Sequence, residues 1–323
     1  MNKESVTIFC PATVSNVGPG FDLLGFALEE PGDKLLVRRN DQGIIRLIDE
    51  SGSGLPGDPG KNVAAISAQA LLDELTATGQ ITTQDAGAGF DLVFLEKINP
   101  GSGLGSSAAS AVAAVVGIND LLGAPLLPAE LLPYAMEGET AASGSYHADN
   151  VAPALLGGFT LIRGYDPLDI KHIPYPDDLH CAIVHPDLSF NTSDGRKVIP
   201  QNVPLKTALA QAGNLGGLIA GLTTADYGLI SRSVTDLFAE PYRTGKLPEF
   251  EALRRRTLDE GALGTGLSGS GPSVFALCRS REIGQNVAKS MQEHFTRHGI
   301  GSRFYVSKVS EEGTRSVERE SGA

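Results

Sequence analysis

Cysteine, positive charge and long apolar runs are all scarce in this sequence. The three cysteines, Cys10, Cys181 and Cys278, are odd in number and far apart. They form no metal-ligand spacing and imply a reducing compartment. Lys and Arg total 26 against 38 Asp and Glu, a net charge of −12. That balance argues against a general nucleic-acid or anionic-membrane surface, though not against phosphate binding at one local loop. No apolar stretch reaches the ~20 residues of a membrane span. Residues 1–5 are polar with no long apolar run behind them, so no signal peptide is expected. The expectation is a cytoplasmic protein with no membrane or nucleic-acid partner. No internal repeat is visible.

What is present is a chain of 323 residues, 41% of them hydrophobic, enough for one large or two moderate domains. Its centre is the stretch Pro100, Gly101, Ser102, Gly103, Leu104, Gly105, Ser106, Ser107, Ala108, Ala109. Residues 90–98 before it carry apolar Leu92, Phe94 and Ile98 and read as a strand. Residues 108–122 after it are rich in Ala and Val and read as a buried helix. A Gly-rich turn into a helix N-terminus lets a ligand approach the backbone, and the free N–H groups and dipole favour an anion. Ser106 and Ser107 add hydroxyls where a phosphate or its Mg²⁺ would sit. The other reading is a tight turn with a Ser-rich cap. A Walker A loop is excluded because no Lys precedes the last Ser. The Rossmann pattern fails because Ser106 stands where the third Gly belongs.

Elsewhere, residues 6–9 read as a strand entering a Gly/Pro-rich loop over 11–25, and residues 34–39 and 44–48 as a hairpin. Residues 51–60 read as a surface loop, and 62–78 and 128–142 as helices. Residues 157–162 read as a strand. The Pro- and Asp-rich segment 166–178 reads as a crossing between domains 1–165 and 166–323. In the second half, 181–185, 273–277 and 302–309 read as strands, and 205–221, 227–238, 250–260 and 282–298 as helices. The tail beyond 309 reads as frayed. Strands alternate with helices in both halves, which predicts an α+β fold in two layers. The segment 264–272 contains G-x-G-x-x-G, but it follows a helix and opens a strand, the reverse of a dinucleotide fingerprint. So many glycines are costly in chain entropy, which favours a close backbone contact there.

Gly103-Leu104-Gly105-Ser106-Ser107-Ala108 resembles the phosphate loop of the GHMP kinases, the galactokinase, homoserine, mevalonate and phosphomevalonate kinase superfamily. Pro11-Ala12-Thr13 and the run Ser268-Gly269-Ser270-Gly271-Pro272-Ser273 match two further motifs of that family in order and spacing, so the resemblance spans nearly the whole chain. It is greatest for the homoserine kinase branch, through Asn16, Gly20, Phe21 and Asp22; His147, Asp149, Asn150, Pro153, Gly157 and Gly158; Asn191, Thr192, Arg196 and Pro200; and Glu240, Pro241 and Arg243.

The resemblance implies an N-terminal domain like the second domain of a ribosomal protein and a ferredoxin-like C-terminal domain. It implies ATP with Mg²⁺, L-homoserine as acceptor, O-phospho-L-homoserine as product on the way to threonine, and a homodimer. Residues 100–109 together with Gly269, Ser270 and Gly271 would hold the nucleotide, and Ser107 and Glu139 the metal. Asn16 and Asp22 would accept from the substrate ammonium, and Arg196 and Arg243 would bind its carboxylate. Asn150 and Thr192 would orient the hydroxyl. Several relatives place an Asp where Asn150 stands, and an amide is no proton acceptor, so positioning rather than a general base is expected to drive transfer. Asp149 is expected to fix its loop. Two alternatives stay open: another small-molecule GHMP kinase, or a GHMP-like protein that senses a ligand without phosphorylating it. A serine hydrolase is not expected, since no Gly-x-Ser-x-Gly elbow sits between a strand and a helix, and Gly269-Ser270-Gly271 precedes a strand.

Overall fold

The structure is a computed structural model that describes residues 3–144, 146–188 and 192–318; the side chains of residues 142–143 and 192–194 lie outside the description. Strands β1 (Ser5–Ser15), β2 (Leu24–Asn40), β3 (Ile45–Asp49) and β4 (Gly89–Glu96) form the first sheet with β5 (Phe159–Tyr165), β6 (Leu168–Ile173) and β11 (Arg315–Val317). Helices α1 (Val63–Ala77), α3 (Ser106–Leu121), α4 (Leu132–Ser143) and α5 (Val151–Leu156) pack with it, and a short α2 (Thr83–Ala86) precedes β4. The second half contains β7 (His180–Pro186), α6 (Thr192–Lys197), α7 (Leu205–Thr224), α8 (Tyr227–Ser233), α9 (Glu240–Arg243) and α10 (Phe250–Asp259). It continues with β8 (Gly264–Leu267), β9 (Val274–Cys278), α11 (Arg281–Arg297) and β10 (Ser302–Lys308). Its sheet runs β10-β7-β9-β8, all antiparallel. A β-α-β-β-α-β chain with that order is the ferredoxin-like arrangement. Among the described residues no helix is long and apolar enough to cross a membrane.

Helix α3 is buried on nearly every side. Its run of Ala, Ser and Val makes this feasible, because small side chains let β1, α1 and α4 close around it. The long β1 carries residues 11–15, expected in a loop, inside the sheet, where Thr13 and Val14 pair with Ala27 and Phe26. Burial on both sides of that segment outweighs the turn signal of Pro11, which sits at a shift of register.

Three other segments differ from expectation. Residues 34–39 and 44–48 form no hairpin: β3 runs parallel to β4, and β4 lies between β3 and β2. Phe90, Leu92 and Phe94 of β4 are buried, so this strand takes the inner place and β3 the edge. Asp91 ties the three strands together by accepting from Arg38, Arg46 and Asn40, and those partners hold its carboxyl well below the usual carboxylate range. Within 166–178, residues 168–173 form β6 against β5, so the first sheet continues through this segment. The tail returns as β11 onto the edge of β1.

Candidate active site

A cleft of about 290 Å³ opens where the Gly-rich turn, β1, α4 and the β8–β9 turn converge. The turn leaves β4 and enters α3 through Gly105, which is in the left-handed region (φ +68) and gives the helix no side-chain cap. The first N–H groups of α3 are therefore available to an anion. At Gly103 (φ +82) a Cβ would stand 2.7 Å from the Ser268 carbonyl and 2.8 Å from that of Gly271. Here the two glycine-rich loops meet, backbone to backbone. Ser268 Oγ donates to Gly103 O (2.6 Å), Ser273 N to Ser102 O (3.2 Å) and Gly269 N to Ser15 O (3.1 Å).

Pro100, Gly101, Gly103, Gly105, Ser106, Ser107, Gly269 and Ser270 line the cleft. Ser102, Leu104, Ala108 and Ala109 are buried behind it and shape the loop from within. Gly271 takes part through its packing on Gly103. The hydroxyl of Ser106, expected to face a phosphate or Mg²⁺, is committed inward. It donates to Ile98 O (2.8 Å) and accepts from Lys97 Nζ (2.6 Å). Ser107 instead hydrogen-bonds the carboxylate of Glu139. Glu139, on α4, is 7% exposed, and burial pushes its carboxyl upward.

A buried pair unforeseen from the sequence supports the turn. Lys97 Nζ reaches Asp33 Oδ2 (2.8 Å), Ser106 O (2.6 Å) and Ser106 Oγ (2.6 Å), with side-chain exposures of 2% and 1% for the pair. All three ammonium protons have acceptors. Asp33, on β2, also accepts from Ile98 N (2.8 Å) and Ser110 Oγ (3.3 Å). Lys97 lies three residues before Pro100, and a cation so close to an anion-binding turn was the available signal. Asp33 offered none, since it sits in the charged, turn-like run Glu29-Glu30-Pro31-Gly32-Asp33-Lys34. Leu55, Pro56, Lys61 and Asn62 also line the cleft, although Leu55 and Pro56 fall in the segment 51–60 that reads as a surface loop.

At the opposite end, Asp22, Arg196 and Arg243 gather around Phe21, whose ring lies 5.6 Å from the Arg196 guanidinium carbon and 5.3 Å from that of Arg243. Arg196 NH2 donates to both oxygens of Asp22 at 2.8 Å. Residues expected to hold opposite ends of a zwitterion thus hold each other. Arg243, 8% exposed, is fixed by donating to Gly195 O (2.9 Å) and Gly269 O (3.0 Å). Its helix α9 is anchored in turn by Asp236, which accepts from the backbone N–H groups of Phe238, Ala239 and Glu240. Asn16 accepts from Asp22 N (3.1 Å) and donates to Gly269 O (3.0 Å), so it shapes this end of the cleft through the backbone.

Between the two ends lies a row of small polar groups. Thr13 Oγ1 donates to Asn150 Oδ1 (2.7 Å), and Asn150 Nδ2 donates to Ser15 Oγ (3.0 Å). The Asp149 carboxylate beside Ser15 is 3% exposed and pushed up to about 6 by burial. His147 Nδ1 stands 3.9 Å from Asp149. The roles of Thr13 and Ser15 were missed, because their motif drew attention to the loop and not to the strand that aims them. Asn191 and the side chain of Thr192 lie outside the described residues.

Comparison with known proteins identifies the family and the fold. Residues 63–158 match the GHMP kinases N terminal domain and residues 218–297 the GHMP kinases C terminal domain. The chain is 44% identical over 319 residues to a homoserine kinase of Chloroherpeton thalassium, covering 97% of this chain and 99% of that protein. It is 44% identical over 322 residues to a homoserine kinase of Chlorobaculum tepidum, covering 97% and 98%. Among solved structures, the homoserine kinase from Cytophaga hutchinsonii superposes with a TM-score of 0.91 at 46% identity over 98% of both chains. The L. major mevalonate kinase, at 18% identity and TM-score 0.71 over 96% of this chain and 99% of that one, shares the fold. Both family domains match in order and the similarity to homoserine kinases runs over nearly the full length, so the chain belongs to the homoserine kinase family of the GHMP kinases.

Proposed function

We propose that the protein transfers the γ-phosphoryl group of ATP to the side-chain hydroxyl of L-homoserine, making O-phospho-L-homoserine for threonine synthesis. One observation carries the reading. A single cleft holds an uncapped helix N-terminus at one end and a paired Asp22, Arg196 and Arg243 at the other. The first suits a polyphosphate; the second suits a small acceptor carrying both an ammonium and a carboxylate. On binding, the acceptor exchanges one internal ion pair for two external ones: its carboxylate takes Arg196 and Arg243, and its ammonium takes Asp22. Leu55, Pro56, Lys61 and Asn62 line the far side, where the nucleoside would sit.

The residues present also fit Mg²⁺. It usually takes one or two carboxylates, with substrate phosphates and waters completing its shell. Among the described residues no cluster of three or more acidic, His or Cys side chains could hold a metal alone. Glu139 with Ser107 is a donor set of the required size, and a dication beside Glu139 would offset the cost of burying its charge. The ion would neutralise charge on the transferring phosphoryl group. The chain itself supplies orientation: the turn fixes the phosphates, the Arg pair fixes the acceptor, and Asn150, locked between Thr13 and Ser15, faces the space between them.

The test is a panel of acceptors with ATP and magnesium. Homoserine should be phosphorylated, while homoserinol, which lacks the carboxylate, should react poorly. Equal use of the two would remove the role of the Arg pair, and rapid turnover of mevalonate in place of homoserine would overturn the assignment.

A further inference from the structure

A second cavity, of about 190 Å³, shares only Lys97 with the cleft and lies against the buried side of the glycine-rich turn. One wall is the turn itself, through Asn99, Ser102 and Leu104. The other is the second sheet, through His185 of β7 and Arg303 and Tyr305 of β10. Residues two apart on a strand share a face, and Arg303 stands opposite His185, so these three side chains emerge together. The alternate residues Val184, Phe304 and Val306 pack with Val287 and Met291 of α11, so that helix covers the opposite face. The cavity is rich in unused donors. Arg303 is exposed, and its guanidinium has no hydrogen-bond or ion-pair partner among the described residues. The Asn99 amide and the Tyr305 hydroxyl have none there either. Ser102 is 1% exposed; its Oγ accepts from Leu104 N (3.3 Å), and its own proton has no acceptor among the described residues. His185 Nδ1 meets Ser273 Oγ (3.2 Å), which leaves Nε2 open. The other charges along the wall are matched, Lys97 by Asp33 and Glu96 by Lys34, each at 2.8 Å. The surplus is one guanidinium among neutral donors.

We propose that this cavity binds a small oxyanion, held by Arg303 from the second sheet and by Asn99 and Ser102 from the turn, and that its occupancy tightens ATP binding in the cleft. A guanidinium flanked by neutral donors suits a carboxylate or a phosphate. The cavity is smaller than the ~300–1,000 Å³ of pockets for drug-sized ligands, so the anion has the size of phosphate or a short carboxylate. The coupling follows from where the walls lead. Ser102 N donates to Asn99 O (3.2 Å), and Ser102 O accepts from Ser273 N (3.2 Å), whose hydroxyl meets His185. One residue on, Gly103 meets the β8–β9 loop backbone to backbone. An anion bridging Arg303 to Ser102 adds to the bonds that hold the turn against the second sheet. A turn already held loses less freedom when it wraps a polyphosphate. By linkage, ATP tightens the anion by the same factor.

The effect on ATP rests on the homoserine kinase reading of the cleft; the anion site does not. Calorimetry on the full chain, with magnesium and a non-hydrolysable ATP analogue already bound, separates the two sites, because the analogue fills the cleft. Failure of the analogue to bind would defeat the reading of the cleft. Inorganic phosphate and butyrate are then titrated separately into the parent, Arg303→Ala and Arg303→Lys. At least one of the two should bind the parent at a single site, and which one binds tells a phosphate ligand from a carboxylate. Arg303→Ala should weaken that binding by about 10-fold or more, while Arg303→Lys, which keeps the charge, should retain part of it. Saturating anion should raise the analogue's affinity about 5-fold in the parent relative to Arg303→Ala, in which competition for the cleft is the same. Without added anion, the two should turn over homoserine alike. If neither anion binds the loaded parent, or if binding is unchanged in Arg303→Ala, the site is overturned. Anion binding that leaves the analogue's affinity equal in the two proteins overturns the coupling.

Discussion

The two ends of the cleft each bury a carboxylate, and they treat it differently. Asp33, behind the phosphate turn, meets the Lys97 ammonium at 2.8 Å and two further donors. Asp149, toward the other end, has an imidazole 3.9 Å away. Burial pushes both carboxyls upward, but only Asp33 has a buried cation in direct contact. The glycine-rich end is thus built from backbone and held by a neutralised pair. The end that holds Asp22, Arg196 and Arg243 is built from charged side chains, with one buried acid that has no cation in direct contact. A near partner offsets the cost of burying a charge, and a charge without one is held at that cost.

The sharpest way to break that contrast is at the backbone of the glycine-rich end. In Gly103→Ala the new Cβ would meet two carbonyl oxygens at 2.7 and 2.8 Å from a left-handed backbone, so the turn and the β8–β9 loop must separate. Turnover should fall by about 1,000-fold, with ATP affinity lost in calorimetry. Near-normal ATP binding would show that the close approach is incidental.

Next in size is the pair behind the turn. Lys97→Met leaves Asp33 buried without its cation and should cost about 3–5 kcal/mol of stability. Lys97→Met combined with Asp33→Leu should regain most of that stability in thermal melts. If the pair also positions the phosphates, the double variant should still bind ATP weakly while binding adenosine as the parent does. Recovery of ATP affinity would make the pair purely structural.

At the other end the effects should be smaller and confined to one substrate. Arg243→Lys or Arg196→Lys replaces a planar fork with a point charge and should raise the homoserine KM by about 1.5–3 kcal/mol, roughly 10- to 100-fold. The KM for ATP should hardly move. An equal rise for both substrates would mean that the two ends are coupled, contrary to the division drawn above.

How much of this was legible in the sequence follows the same division. The phosphate turn, its helix and the facing loop are backbone devices, and the glycines that permit them are visible as residues; residues 90–98 and 108–122 read nearly as they fold. Family resemblance singled out Arg196, Arg243 and Asp22, and the fold brings them together, but the pairing of Arg196 with Asp22 was not legible, because no local pattern links them across the chain. Lys97–Asp33 and Thr13–Asn150–Ser15 were invisible for the same reason: each joins distant strands and loops through the fold. The parallel β3–β4 pair was misread because adjacency in sequence favours a hairpin, while burial of the more apolar β4 decides the order.

The smallest expected effect concerns stability and tests whether Asp149 is held at a cost. Its pKa in the fold is raised from 3.8 to about 6, so the folded state binds the proton more tightly than the unfolded one. For such a group stability is greatest at low pH and falls as pH rises from about 4 through about 6. Asp149→Asn removes that loss. The variant should therefore melt a few degrees above the parent at neutral pH, ~1–2 kcal/mol, and the advantage should shrink as the pH approaches 4. Burial pushes the Asp33 carboxyl up as well, but there Asp33→Asn leaves the buried Lys97 charge without its counter-charge, and that loss should lower the melting temperature at neutral pH. If both amides destabilised the protein alike, the two carboxylates would play the same structural part. A more stable Asp149→Asn beside a less stable Asp33→Asn would show that only the Asp33 charge is repaid by a partner cation.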